Sequence, residues 1–400
     1  MQSHAQKERN YSSLQPKSPI KELLKNNMRQ YSMIFALIVI MMLFQVLTSG
    51  LLLQPLNITN LILQNSYILI LAIGMMLVII TGHIDLSVGS IAAFVGAISA
   101  ILMVNYEMST FGAVVVSLLV GALIGAWQGF WVAYVKIPAF IVTLAGMLLF
   151  RGLTMIVLEG KSIAPFPETF QKMSSGFIPD GSAANVVTLL IGAVLSVALV
   201  ISQVKARRTQ MKFDFDVQSK GLFLLKMIGM VVLLNVFTYV LASYEGIPNV
   251  LILLGILIIV YTYVMRKTKA GRHIYAIGGN EKAAQLSGIK TKQMTFWVFV
   301  NMGVLSALSG LIFAARLNAA TPKAGNLFEL DAIAACFIGG ASAYGGIGTV
   351  PGAIIGGLVM GIMNNGMSLL GLGIDWQQGI KGLVLLAAVA FDIYNKNKAG

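Results

Sequence analysis

The strongest constraint in this 400-residue chain is a series of twelve apolar runs, most near 20 residues long, separated by short polar segments. About 20 such residues let an α-helix cross the hydrocarbon core of a bilayer, where each backbone polar group must find its partner inside the segment. The runs cover 31–53, 61–80, 86–104, 111–135, 139–158, 184–204, 222–243, 248–265, 294–316, 329–348, 350–370 and 378–394. They predict an all-α polytopic membrane protein of 10–12 transmembrane helices, with the glycine-broken runs near 85 and 345 as candidate re-entrant segments. Composition agrees, since 57% of residues are hydrophobic and 11% charged, where a soluble domain carries about 25% charged residues. The 41 glycines suit helices that approach closely in lipid, where packing rather than hydrophobicity holds helices together.

A net charge of +13 invites a nucleic-acid reading, but the placement of the charges excludes it. Lys and Arg fall in the segments between apolar runs, and 22 of the 28 lie on one side of the membrane if the N-terminus is inside. That bias predicts both termini in the cytoplasm. Residues 1–30 lack an apolar core with a small-residue cleavage site and read as a retained cytoplasmic tail, with 395–400 as a second one. The loop 159–183 then lies outside, and the basic loop 205–221 and the segment 266–293 lie inside. The lone Cys336 and the scattered His4, His83 and His273 supply neither a disulfide nor a metal site.

The segment from Gly271 to Ile289 is more than a linker. Asn280 is a good N-cap, Glu281 sits favourably in the first turn, and Gly288 can end the helix in a left-handed conformation. A two-turn helix from Glu281 to Ser287 therefore stands between membrane spans, with small Ala283 and Ala284 on one side and Leu286 close by. Docking to another protein and simple tidying of the loop both fit it. The pattern Gly271, Arg272, Ala276, Gly278, Gly279, Asn280, Ala283, Ala284, Ser287, Gly288, Ile289 resembles the cytoplasmic loop of sugar permeases of ATP-binding-cassette importers, the ribose, xylose and multiple-monosaccharide group. In that family the loop forms the coupling helix that rests on the ATPase subunit. Further stretches are similar to the same family. They are Thr81–Ser90, with His83 where Gly is usual; Thr143–Met147 with Arg151–Leu153; and Thr321–Pro322, Gly325, Glu329–Ala335, Gly339–Gly340 and Asn364–Gly366. Across 159–245 the chain looks more like the xylose and multiple-monosaccharide branch than the ribose type.

Polar groups inside the runs are the candidates for a solute path: Asn65, Asp85, Trp127, Gln128, Asn301, Asn364 and Asn365. Sugars present hydroxyls and apolar ring faces, which amides and an indole can meet. For each amide, hydrogen bonding between helices is the simpler reading. Asp85 fits two roles, an N-cap of the span from Leu86, accepting from Ser87 and Val88, and a residue of the path; capping is the stronger. Glu329 and Asp331 read as caps in the same way, and Arg151 as a residue that snorkels or pairs with Glu159. Gly121–Gly125 and Gly352–Gly356 are alike in spans of opposite direction, a hint of an inverted repeat.

No phosphate-binding pattern is present, because Gly160-Lys161-Ser162 has Met155 where the first glycine belongs. The chain is thus expected to bind no cofactor and catalyse nothing. The resemblance implies a separate ATPase subunit holding ATP and Mg, an extracytoplasmic sugar-binding protein, a second permease copy and a monosaccharide as cargo, D-xylose or a related sugar foremost. Ion-coupled carriers require ionisable groups deep within spans; here the acidic residues sit at predicted span ends. A membrane-embedded enzyme would need a convergent His, Asp or Ser set, and only His83 and Asp85 come close. A permease of the same superfamily for branched-chain amino acids or nucleosides remains an open alternative.

Overall fold

The computed structural model describes residues 19–178, 185–213, 215, 217 and 219–399. Among them the chain forms helices throughout and no β-ladder, only the isolated bridges Ile163–Ala320 and Phe177–Pro248. Among the described residues nine helices are long and apolar enough to cross a membrane. The expected tail lies outside the described residues as far as residue 18, and from Pro19 it is already helical, as α1 (Pro19–Leu47).

Two long antiparallel helices form the centre, α2 (Pro55–Ile80) and a later partner, Thr291–Leu317. In their most apolar stretches, 83% and 72% of residues are buried by other helices. From α2 the chain passes through an irregular segment, 81–87, into α3 (Val88–Ala100), which ends in a π-helical turn, Ile101–Asn105. Then follow α4 (Thr110–Phe130), extended by a π turn to Val135, and α5 (Ala139–Val157). Ser109 caps α4 by accepting the Gly112 N–H at 3.3 Å.

The loop after α5 carries a short helix, α6 (Glu168–Ser175), and its residues 179–184 lie outside the described residues. Next come α7 (Val186–Lys212), α8 (Lys220–Ala242) and α9 (Asn249–Lys267). Only 11–17% of their apolar stretches is buried, so these three form the lipid-facing flank. The basic loop predicted over 205–221 is helical as far as Lys212, which makes most of its charges the last two turns of α7.

The remaining helices are α10 (Lys269–Gly279), α11 (Glu281–Leu286), the central α12 (Thr291–Leu317), α13 (Phe328–Ile338), α14 (Val350–Leu369) and α15 (Ile374–Ala399). The run 329–348 is not one span. Its helix stops at Ile338, and 11 residues reach about 16 Å, half of a bilayer core. Gly339 and Gly340 stop it, with Gly340 at φ +81°, and an irregular stretch runs on to α14. The last predicted span, 378–394, lies within α15, which continues through the expected tail to Ala399.

The two halves pack on each other reciprocally, although Gly121–Gly125 lies on the central helix Thr291–Leu317 and Gly352–Gly356 on Ala335 and Gly339. The broken helix of each half packs on the long central helix of the other. A Cβ on Gly310 of α12 would overlap backbone of Ala92 on α3, and the Cys336 thiol of α13 donates to the Ala72 carbonyl of α2 at 3.4 Å. The following helix does the same: Gly121 of α4 lies against Gly303 of α12, and Gly361 of α14 against Asn65 of α2. Glycine at these crossings lets backbones approach without clash. One result governs the rest of the molecule. α3 starts beside the middle of α12, and α13 starts beside the middle of α2, where Phe328 stacks on Tyr67 at 4.3 Å.

Candidate translocation site and coupling loop

The two broken helices meet end to end at mid-depth. Gly89, in the first turn of α3, packs against the backbone of Gly325, and a side chain there would strike both the Gly325 oxygen and Glu329 Oε2. Asp85 lies just before this turn and is 1% exposed. Its Oδ1 accepts the Ser87 N–H at 2.8 Å and the Ser87 hydroxyl at 2.6 Å. That closes a turn on Ser87, so α3 begins at Val88 rather than Leu86, and no bond from Val88 to the carboxylate forms part of it. Gln128, fully buried on α4, donates to Ser87 Oγ at 2.7 Å, and Gly146 of α5 leaves room for its amide. Thr143 of α5 reaches the Ile84 carbonyl at 3.4 Å.

Glu329 and Asp331 do not cap α13. Its N-cap position is Leu327, held at φ +62° without a side-chain bond, a backbone state that costs a branched residue energy. Asp331 instead pairs with Lys381 of α15 at 2.9 Å and 3.2 Å, both groups largely buried. Glu329 is within electrostatic reach of Asp85, Asp331 and Arg151. Arg151 does not pair with Glu159; it donates to the Ala324 carbonyl at 2.5 Å and so ties α5 to the segment before α13. Three acidic residues assigned to span ends thus lie inside the bundle, because the helices they open start at mid-depth.

The other path candidates are dispersed. Asn65 bonds back to the Leu61 carbonyl at 2.8 Å and fills the space over Gly361. Asn365 forms a reciprocal amide pair with Asn57 at 2.8 Å and 3.0 Å, joining α14 to α2. Asn301 accepts from the Tyr261 hydroxyl of α9, and Trp127, 40% exposed, meets the edge of Phe150 at the outside of the bundle. Asn364 has a buried Oδ1 without a protein partner. Of the seven, only Asp85 and Gln128 come together. Glu329, Ser87 and Arg151 complete the group, and a sequence signal existed for Glu329 as a lone carboxylate between Phe328 and Leu330.

At the end of the bundle carrying α10 and α11, a cleft of about 440 Å³ opens, lined by Lys136, Glu281, Gln285 and Lys292 and floored by Gly82, His83 and Ile84. Its floor is the chain immediately preceding Asp85. Burial holds the His83 imidazole below its ordinary pKa, and Glu281 opposes that effect.

The α10–α11 segment forms as its residues suggest. Thr268 accepts the Gly271 N–H at 3.3 Å, Asn280 Oδ1 accepts the Ala283 N–H at 3.0 Å, and Gly288 has φ +83°. The helix after Asn280 ends at Leu286, and a second one, α10, precedes it where only a loop was expected. Gly271 fits tightly over Met265 backbone, while Arg272, Gly279, Asn280, Glu281 and Ala283 are exposed and Ala284 is buried. Leu286 is 90% exposed, an apolar side chain held away from the bundle. Gly278 presses on the last turn of α2, where a Cβ would overlap the Ile80 oxygen, and the same oxygen accepts the Gly346 N–H at 2.8 Å. The Tyr275 hydroxyl donates to the Gly348 carbonyl at 2.7 Å. The α10–α11 segment, the floor of the cleft and the break after α13 therefore share one joint.

The helical bundle thus has broken helices that meet at a buried polar centre, and a projecting helix tied to both breaks. The chain belongs to the family described as branched-chain amino acid transport system / permease component, whose profile matches residues 57–389. It is a multi-pass inner-membrane protein. It is 40% identical over 372 residues to the xylose transport system permease protein XylH of Haemophilus influenzae, covering 93% of this chain and 98% of that one. With XylH of Escherichia coli K12 it shares 38% over 380 residues, 93% and 94% of the two chains. The ribose import permease protein RbsC of Haemophilus influenzae is 37% identical over 338 residues, 84% and 85% of the two chains. No solved structure matches.

Proposed function

We propose that this chain is the membrane-spanning subunit of an ATP-driven, binding-protein-dependent importer of a monosaccharide, with D-xylose as the leading cargo. The observation that carries the cargo is the extent of similarity: the xylose permeases match 93% of the chain and the ribose permease 84%. Both termini and the α10–α11 segment face the cytoplasm in this reading, as the basic residues favour. Exposed Leu286 and the capped α11 dock on a separate ATP-binding-cassette subunit, which holds ATP and Mg. An extracytoplasmic sugar-binding protein delivers the cargo, and a second copy of the permease completes the assembly. Nucleotide-driven movement of α11 passes through Gly278 to the 81–87 and 339–349 breaks and alternately opens the centre.

The test is uptake of labelled xylose, ribose and galactose in cells expressing the permease with its candidate ATPase and binding protein. The comparison is an Asn280→Ala, Glu281→Lys variant, which removes the cap and reverses the charge at the start of α11. Accumulation of xylose, lost in the variant while its membrane level is normal, supports the reading. Uptake that persists without the ATPase, or that follows a proton gradient, refutes it.

A further inference from the structure

The centre at the junction of α3 and α13 contains oxygens that no protein group satisfies. Asp85 Oδ2, Gln128 Oε1, Glu329 Oε2 and Ser90 Oγ are each buried from solvent and lack a partner among the described residues. Their residues are 1%, 0%, 7% and 0% exposed. With both carboxyls ionised, three of the four only accept, and buried acceptors without donors are costly enough to require an explanation.

Apart from the Ser90 hydroxyl, which can serve one acceptor at most, the nearby donors are already committed. Ser87 serves Asp85 Oδ1, Gln128 Nε2 serves Ser87, Arg151 serves the Ala324 carbonyl, and Lys381 serves Asp331. What the centre lacks is therefore hydrogen-bond donors supplied by something else. Among the described residues no group of three His, Cys, Asp or Glu is arranged to hold a metal ion. Two helix N-termini open at the centre beside Arg151, while Asp85 and Glu329 bring negative charge to it, so the site already holds both signs. An uncharged molecule with several hydroxyls supplies such donors to separated acceptors without altering that balance of charge.

We propose that Asp85, Gln128 and Glu329 form a transient binding site for a neutral polyhydroxylated solute, each accepting a hydrogen bond from a different hydroxyl. This deepens the import reading above and rests on it. The position suits a midpoint of the path. On one side Gly82, His83 and Ile84 separate the centre from the cleft. On the other, the segment 318–327 covers it, held by Arg151 on Ala324 and by Asn318, which accepts the Phe166 N–H at 2.8 Å. Both covers are irregular chain rather than helix, and the first is joined to the coupling segment through Ile80 and Gly278.

The experiment uses the complete importer, with ATPase and sugar-loaded binding protein, in proteoliposomes. Asp85→Asn and Glu329→Gln keep shape but replace one free acceptor by an N–H donor. Sugar turnover at saturating binding protein is expected to fall at least tenfold in each. Each variant should reach the membrane and co-purify with the ATPase subunit in the amount of wild type, which a misfolded chain would not allow. A second arm uses the unaltered protein with xylose and its monodeoxy analogues, each at concentrations that saturate the binding protein. Loss of one hydroxyl is expected to reduce turnover at least tenfold for at least one analogue. Turnover within twofold in both variants, or equal turnover of all analogues, overturns the proposal. So does a requirement of wild-type turnover for sodium or a proton gradient that Glu329→Gln abolishes, because the site would then hold a cation. If the wild-type assembly moves no monosaccharide at all, the import reading itself fails, an outcome distinct from the others.

Discussion

Alanine at Gly278 perturbs the joint between the coupling segment and the membrane helices while changing one methyl group. A Cβ there would overlap the Ile80 carbonyl oxygen and stand 2.5 Å from the Gly346 nitrogen. Both are backbone atoms, so no side-chain rotation relieves the clash. Forcing an extra carbon into such a contact costs about 1–3 kcal/mol. Displacing the end of α10 also threatens the 2.8 Å bond from Gly346 N to Ile80 O, worth about 1 kcal/mol. The total of about 2–4 kcal/mol is a large fraction of a typical folding free energy. Gly279 is the internal control, with no atom near the position its Cβ would take. Gly278→Ala should lower the thermal midpoint of the purified permease and abolish ATP-driven uptake. Gly279→Ala should change stability by about 0.5 kcal/mol or less and leave uptake near wild type. Equal stability and equal uptake in the two variants would refute the idea that this contact transmits motion.

Two further substitutions separate structural polar groups from the central site. Lys381→Met leaves Asp331 buried without its partner and should destabilise by about 3 kcal/mol; adding Asp331→Asn should recover most of that loss, as read from thermal midpoints in detergent. Asn365→Ala removes a paired amide between α14 and α2 and should cost about 1 kcal/mol with sugar KM unchanged, whereas a rise in KM would return Asn365 to the solute path.

Much of the architecture was legible because hydropathy reports burial in lipid directly. The runs at 111–135, 139–158 and 350–370 agree with Thr110–Val135, Ala139–Val157 and Val350–Leu369 to within a residue or so. The start of α11 was equally legible, since an Asn cap and a left-handed glycine act on their own neighbours. The run 329–348 misled for the same reason that the others succeeded. Hydropathy registers apolar surroundings, and an irregular stretch buried by glycine contacts against α14 and α10 is as apolar as a helix. Asp85, Glu329 and Asp331 read as end caps because a carboxylate at the start of an apolar run marks a helix N-terminus wherever that terminus lies.

The sequence by itself determined that this chain lives in a membrane, that its helices are held by small residues, and that a short capped helix projects between spans. Those properties depend on contacts with lipid, water or residues a few positions away. Only the tertiary structure decided that α3 and α13 begin at mid-depth and that Asp85 and Glu329 come to share one centre. It also decided that Asn65 packs over Gly361 and Asn365 pairs with Asn57, whereas Gln128 belongs to that centre. Each of these outcomes is a pairing of residues distant in the chain, settled by which backbones can approach at glycine, and no local pattern encodes such a pairing.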